Sequence, residues 1–377
     1  MIPTIDILPK PPIDKKGWPW TKGTDIVIYD SKKNYPKISI VTPSYNQGRF
    51  LEETIRSVIL QNYPNLEYII IDGGSTDESV EIIKKYEKWI TYWISEKDNG
   101  QSQAINKGLN KCSGEIFNWI NSDDFYEPGS FYSIADNFLN TPHATCVTGK
   151  EKRIDSKGNF IAFSFGTTIL PSLEDTLCAS HIDQPSTFFK LSAVKKIGGV
   201  NEELFFSMDV DLWMRYLLQY GIDQIIKTNE IYINFRFHEN SKTSTYIERA
   251  KKEYKMLFFE LQRKLNHPYP EAIYADTLPL KNNLFNGIEI KNTINADYLF
   301  EKINSKYLKY TEDNSLIYRE LSAYYQVMKL YPQSLYFLKK AIRITPLSWL
   351  NWKFTIHSLI LILKNYSKTK IWNLKFL

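Results

Sequence analysis

From Lys37 onward, apolar residues follow two alternating patterns: short continuous runs, and stretches in which they recur every three or four positions. Ile38-Ser39-Ile40-Val41, Tyr68-Ile69-Ile70-Ile71, Tyr92-Trp93-Ile94 and Ile116-Phe117-Asn118-Trp119-Ile120 read as strands. Between them, Leu51, Ile55, Val58 and Ile59, then Val80, Ile83 and Tyr86, then Ala104, Ile105, Gly108 and Leu109 read as helices with one inward face. Strands that are apolar on both faces need helices on both sides, so the pattern predicts an α/β domain with a largely parallel sheet. Asn62-Tyr63-Pro64-Asn65 ends the first helix, and Ser75-Thr76-Asp77-Glu78 predicts a capping box that opens the second.

After Asp124 the alternation loosens and predicts a mixed second half. A helix opens at Glu127-Pro128-Gly129, a strand covers Thr145 to Thr148, and Asp155-Ser156-Lys157-Gly158 makes a hairpin turn. A helix through Leu212, Met214, Tyr216 and Leu217 and a strand from Ile231 to Phe237 follow. Beyond Pro268-Tyr269-Pro270 the composition shifts to Tyr, Leu, Lys and Asn with helical periodicity. The expected organisation is an N-terminal extension over 1–36, a main domain over 37–260 and a helical region over 261–377. In that last region Ser322, Tyr325, Ser334, Leu338, Ala341 and Pro346 match the spacing of one tetratricopeptide unit.

Composition narrows the function classes. The net charge of +5 comes from 47 basic and 42 acidic residues spread along the chain without a dense basic block, which disfavours nucleic acid as a partner. The three cysteines, Cys112, Cys146 and Cys178, lie far apart and offer neither a disulfide framework nor a zinc site. The expected home is the reducing cytoplasm: the first 37 residues lack the apolar core of a signal peptide, and Ile356 to Leu363 is too short to span a bilayer.

Two carboxylate positions stand out because Asp72 and the Asp123-Asp124 pair each follow an apolar strand. Ligands of an open parallel sheet bind at the carboxyl ends of its strands, so these groups should meet at one site. Adjacent carboxylates on a tight turn suit a hard cation such as Mg²⁺ or Mn²⁺ shared with substrate phosphates. No GxxxxGK[ST] loop, GxGxxG turn or GxSxG elbow follows any strand, which removes P-loop, dinucleotide-binding and α/β-hydrolase readings.

Four segments in order carry a resemblance: Ile38 to Asn46 (ISIVTPSYN), Asp72 to Asp77 (DGGSTD), Asn121 to Asp124 (NSDD) and Asp209 to Trp213 (DVDLW). Over residues 37–245 the chain resembles glycosyltransferase family 2, whose members have a GT-A fold: a Rossmann-like, mostly parallel central sheet with flanking helices. The resemblance implies that Thr42, Pro43, Ser44 and Tyr45 lie at the nucleotide pocket and that Asp72 binds the base, favouring uracil or thymine. It implies that Gln101, Ser102 and Asn106 line the donor pocket. Asn121 and Asp123 would correspond to the family's DxD element. Asn121 stands at its first acidic place, so Asp123 is the expected main metal ligand with Asp124 in support. His238 matches a position that supplies a metal ligand in some relatives, Asp209 matches the general base, and Gln184-Pro185-Ser186 resembles a loop near the acceptor. Asp211, two residues past the base, is expected to hold the helix terminus or Arg215.

The activity implied is inverting, metal-dependent transfer from a nucleotide-diphosphate sugar to a hydroxyl acceptor. The acceptor would be a growing surface polysaccharide or lipid-linked glycan, handled with peripheral contact at the cytoplasmic face of a membrane. Two other classes compete. A sugar nucleotidyltransferase would need a Gly-rich basic loop after the first strand, where only Gly48 and Arg49 stand. A non-catalytic glycan- or nucleotide-binding module would tolerate the Asn121 departure.

Overall fold

A computed structural model describes residues 4–24, 29–30, 32–239, 241–242, 247–267 and 284–303. The chain divides into two compact units, one of residues 1–236 with 245–300 and one of 237–244 with 301–377. The tetratricopeptide-like spacing and the Ile356 to Leu363 run lie outside the described residues.

The first unit is built on one sheet ordered β3-β2-β1-β4-β8-β6-β9-β5, with β7 paired to β6. Its parallel part comprises β1 (Ile38–Ser44), β2 (Leu66–Asp72), β3 (Tyr92–Ser95) and β4 (Ile116–Trp119). β1 is buried at all seven positions, as a central strand covered on both faces must be. Register brings Ser44, Asp72 and Ser95 level with one another at the carboxyl ends of three neighbouring strands. The helices α1 (Gly48–Ile59), α2 (Ser79–Tyr86) and α3 (Gln101–Lys111) connect these strands. Gly108 lets α3 lie close on β1, since a Cβ there would meet the Val41 side chain at 2.4 Å.

The remaining strands are β5 (Phe125–Tyr126), β6 (Cys146–Ile154), β7 (Phe160–Phe163), β8 (Thr187–Lys190) and β9 (Ile225–Arg236). β8 runs antiparallel between β4 and β6, and β9 runs parallel to β6 and antiparallel to β5. The expected hairpin is present, with Asp155 accepting from the Lys157 and Asn159 backbones between β6 and β7. Helices α4 (Ser130–Asn140), α5 (Leu173–Ala179), α6 (Leu191–Lys196) and α7 (Met208–Tyr220) follow in order. An eighth helix, α8 (Ile247–Lys264), carries the expected boundary at 260 inside it. Leu284, Phe285 and Leu299 beyond it are buried, and the Lys291 N–H reaches the Leu218 carbonyl.

The extension before β1 packs on the same unit through Leu8 and Tyr35, through the Trp18 and Trp20 indole N–H groups, and around one buried cation. Arg56, on α1, is fully buried and donates to the carbonyls of Pro9, Pro19 and Trp20 and to the Tyr86 hydroxyl. A buried guanidinium needs this number of acceptors, because each missing one leaves a desolvated donor. The second helix starts differently from the expected capping box. Ser75 is held by Asp72 and Thr76 by Asn46, so Asp77 caps the Ser79 N–H instead.

Candidate active site

The turn after β1 and the turn after β2 are laced together. Asn46, in the left-handed region at φ 51°, donates its N–H to the Ser75 hydroxyl and accepts from the Thr76 N–H through its side chain. Gly48 N–H, at the start of α1, donates to Asp77. Burial opposes ionisation of Asp77, but hydrogen bonds from Ser79 and Gly48 outweigh it and lower the pKa. Asp72 is fully buried and accepts four hydrogen bonds: from the Ser75 hydroxyl at 2.5 Å, the Ser95 hydroxyl at 2.7 Å, and the Ser75 and Gly74 N–H groups at 2.8 and 3.1 Å. Of the Thr42 to Tyr45 segment, Thr42, Pro43 and Ser44 are buried in the strand and Tyr45 stands out at 62% exposed.

Past β4, the Asn121 to Asp124 turn separates its two carboxylates. Asp123 is half-buried, while Asp124 is 1% exposed. Asp124 accepts the Arg236 N–H on Oδ1 at 2.8 Å, and its Oδ2 has no hydrogen bond of ordinary geometry among the described residues. Burial first, and the Asp123 charge second, push the Asp124 pKa well above the carboxylate range despite Arg236 and Asn121. Gln101 reaches this turn, donating to the Asn121 side chain at 2.7 Å. Ser102 and Asn106, on the same helix, are turned to the loop before α7 instead: Ser102 donates to the Leu204 carbonyl, and Asn106 exchanges two bonds with the Val200 backbone.

Asp209 lies half-buried in the first turn of α7, with Oδ1 on the Val210 N–H at 2.9 Å. Asp211, two residues on, is fully buried against Arg215 at 3.0 Å, and Arg215 also bonds the Ile197 and Gly199 carbonyls. Gln184, on the short 3₁₀ turn Gln184–Ser186, packs against the end of β4 through Asn118 and the Trp119 carbonyl. Glu151, on β6, lies within electrostatic reach of these elements. Its pKa is raised well above the usual by burial, then by the Asp183 charge; Arg153 opposes, and Asp124 and Asp209 add to the rise. Carboxylates from the β4 turn, β6, the 3₁₀ turn and α7 therefore share one electrostatic environment.

Three residues of this region escaped the sequence reading. Arg236 and Glu53 hold the Asp123-Asp124 turn, and Glu253, on α8, accepts from the Phe205, Phe206 and Ser207 N–H groups just ahead of α7. His238 is buried and belongs to the second unit. Among the described residues, no three His, Cys, Asp or Glu side chains are grouped to hold a metal by themselves. A hard cation shared with a diphosphate needs only one or two carboxylates, and a half-exposed Asp123 beside the unbonded Asp124 Oδ2 fits that requirement.

The sequence model for glycosyl transferase family 2 matches residues 39–198, a span that includes Asp72, the Asp123-Asp124 turn and Gln184. Residues 39–198 are a family 2 glycosyltransferase domain. An uncharacterised glycosyltransferase of Rickettsia typhi is 28% identical over 242 residues, covering 61% of this chain and 73% of its own. Chondroitin synthase of Escherichia coli is 28% identical over 185 residues, 48% of this chain and 27% of the synthase. Among solved structures, S. aureus TarS has a TM-score of 0.52 at 18% identity over 81% of this chain and 53% of that one. The mannosyltransferase PcManGT of Pyrobaculum calidifontis has a TM-score of 0.50 at 14% identity over 90% and 92%. At these identities the structural likeness is one of fold, and the fold of this glycosyltransferase is GT-A.

Proposed function

We infer that this glycosyltransferase moves a sugar, with inversion, from a UDP- or dTDP-linked donor to a hydroxyl acceptor in the synthesis of a surface polysaccharide or lipid-linked glycan. The observation that carries the reading is Asp209, a half-buried carboxylate in the first turn of α7. A sugar hydroxyl is a poor nucleophile until a base takes its proton as the new bond forms, and single displacement puts that base opposite the departing diphosphate. Asp209 is assigned that proton. Asp123, with Asp124 in support, would hold Mg²⁺ or Mn²⁺. The ion, when bound, neutralises charge on the leaving diphosphate.

The other roles derive from each side chain's surroundings. Tyr45 offers an exposed ring to the base, and Asp72, already shared among four donors, orders the turn beneath it. Gln101 steadies Asn121, while Ser102 and Asn106 act on the donor pocket through the loop that leads into α7. Support for a nucleotide-sugar donor comes from neighbours of the same fold solved with UDP-GlcNAc and with GDP-Man and Mn²⁺. Support for a polysaccharide product comes from the chondroitin synthase relative. Glycans of this kind grow at the cytoplasmic face of a membrane, and peripheral contact there belongs to the same reading.

The test is release of nucleoside diphosphate by the full chain from a panel of sugar nucleotides, with Mn²⁺, Mg²⁺ or a chelator. Slow hydrolysis of one UDP- or dTDP-sugar, lost with chelator, is expected. A folded protein that turns over none of them is not this enzyme, and pyrophosphate release from a nucleoside triphosphate and a sugar phosphate would make it a nucleotidyltransferase.

A further inference from the structure

Arg236 ends β9 and is 3% exposed, yet it belongs to none of the four segments that carry the family resemblance. Its groups reach four polar partners and two aromatic rings. The backbone N–H donates to Asp124 Oδ1 at 2.8 Å and Nε donates to the Asp123 carbonyl at 2.9 Å. Nη2 pairs with Glu53 on α1 at 2.6 Å, and Nη1 reaches the Asp155 carbonyl in the β6–β7 turn at 3.4 Å. The guanidinium also lies 4.8 Å from the Phe50 ring centre and 5.5 Å from that of Phe125. Glu53 in turn accepts from the Trp20 indole N–H at 3.1 Å.

We propose that Arg236 is the positioning residue of the Asp123-Asp124 turn, fixing the backbone so that the Asp123 carboxylate and Asp124 Oδ2 are presented together to a divalent cation. The inference rests on the metal reading of this turn given above. The geometry carries it in two ways. The turn itself has one internal backbone bond, from the Asp124 N–H to the Asn121 carbonyl at 3.2 Å, so its shape has to be imposed from outside. Arg236 imposes it at two successive residues, one through a carbonyl and one through a carboxylate, while Glu53 and the two rings fix the guanidinium plane. By taking Oδ1 of Asp124, the Arg236 N–H leaves Oδ2 as the oxygen to be offered. Lysine would keep the Glu53 ion pair but lacks the fork that serves α1, the Asp123 carbonyl and the Asp155 carbonyl together.

The experiment measures binding of UDP, dTDP and GDP to the full chain by calorimetry, in Mn²⁺ and in chelator, and takes the nucleotide that the wild type binds best. Partners that orient metal ligands are typically worth about 10–100-fold in metal affinity. Arg236→Gln should therefore lose about tenfold or more of the Mn²⁺-dependent gain while its affinity in chelator stays at the wild-type value. Arg236→Lys should recover part of the gain, and Asp123→Ala should show none. Glu53→Gln, which leaves Arg236 in place, should shift the gain in the same direction by less, and it decides the matter if Arg236→Gln does not fold. An undiminished gain in Arg236→Gln, or in Glu53→Gln where the former is unfolded, overturns the role of Arg236 alone. A wild type that gains nothing from Mn²⁺ overturns the metal reading, and this inference with it.

Discussion

The two ends of the parallel sheet handle buried polar groups in opposite ways. At the amino end, Glu67 accepts from the Ser39 hydroxyl at 2.5 Å and from Ser113 through both its hydroxyl and its N–H at 2.6 and 2.8 Å. Lys37 stands 3.4 Å away, and the Ser39 oxygen takes the Gly114 N–H. These bonds outweigh burial and lower the Glu67 pKa. At the carboxyl end, Ser44 Oγ, Asp124 Oδ2 and Asp183 Oδ2 are buried without a hydrogen bond among the described residues, and Asp124 and Glu151 have raised pKa values. An unsatisfied buried polar group costs about 1–3 kcal/mol, so these three oxygens stand apart from Glu67 at one end and from the four-bonded Asp72 at their own.

The largest break in that contrast comes at Asp209. Asp209→Asn should slow transfer by roughly 10²–10⁴-fold, the usual contribution of a positioned base, with Mn²⁺-dependent nucleotide affinity unchanged. Asp211→Asn should instead lower the melting temperature, because it strips Arg215 of its buried partner. Equal kinetic losses from both would remove Asp209 from its role. Next is Glu253→Ala, which leaves three N–H groups ahead of α7 without their acceptor. About 3 kcal/mol of stability should go with it, read from a denaturant midpoint.

Smaller effects sharpen the amino end. The folded-state pKa of Glu67 lies below its unfolded value, so its contribution is complete above the unfolded pKa and fades as pH falls through the folded one. Glu67→Gln should therefore unfold at lower denaturant than wild type at pH 7, with the gap narrowing below about pH 4. A gap that widens on acidification would contradict the sign. The smallest change in stability is expected at Tyr45, which is largely exposed. Tyr45→Ala should leave the melting curve within about 0.5 kcal/mol of wild type while weakening nucleotide binding, and unchanged affinity would take the ring out of the base pocket.

Legibility in the sequence was divided along the same line. β1, β2 and β4 could be read because central parallel strands are uninterrupted apolar runs; Asp72 and Asp123 were candidates because each follows such a strand, whereas Asp209 was a candidate only through the resemblance carried by its DVDLW segment. β8 went unread: four residues between a Gln-Pro-Ser turn and a helix leave no period to detect. β9 begins at Ile225, six residues before its apolar run, since Lys227 to Glu230 form a polar stretch that pairing, not composition, makes a strand. Arg236 with Glu53 and Glu253 with Phe206 are partners 183 and 47 residues apart, and no local pattern announces such pairs.

Arg56 has a practical consequence for anyone wishing to isolate the catalytic portion. A cut at residue 37, just ahead of the family match, would remove all three carbonyls that the guanidinium uses and leave this cation with the Tyr86 hydroxyl as its remaining described acceptor. The smallest soluble piece should therefore begin ahead of Leu8, which is itself buried in the core, and a shorter one should be rescued only in part by replacing Arg56 with methionine, which asks for no acceptors but does not restore Leu8 and Tyr35.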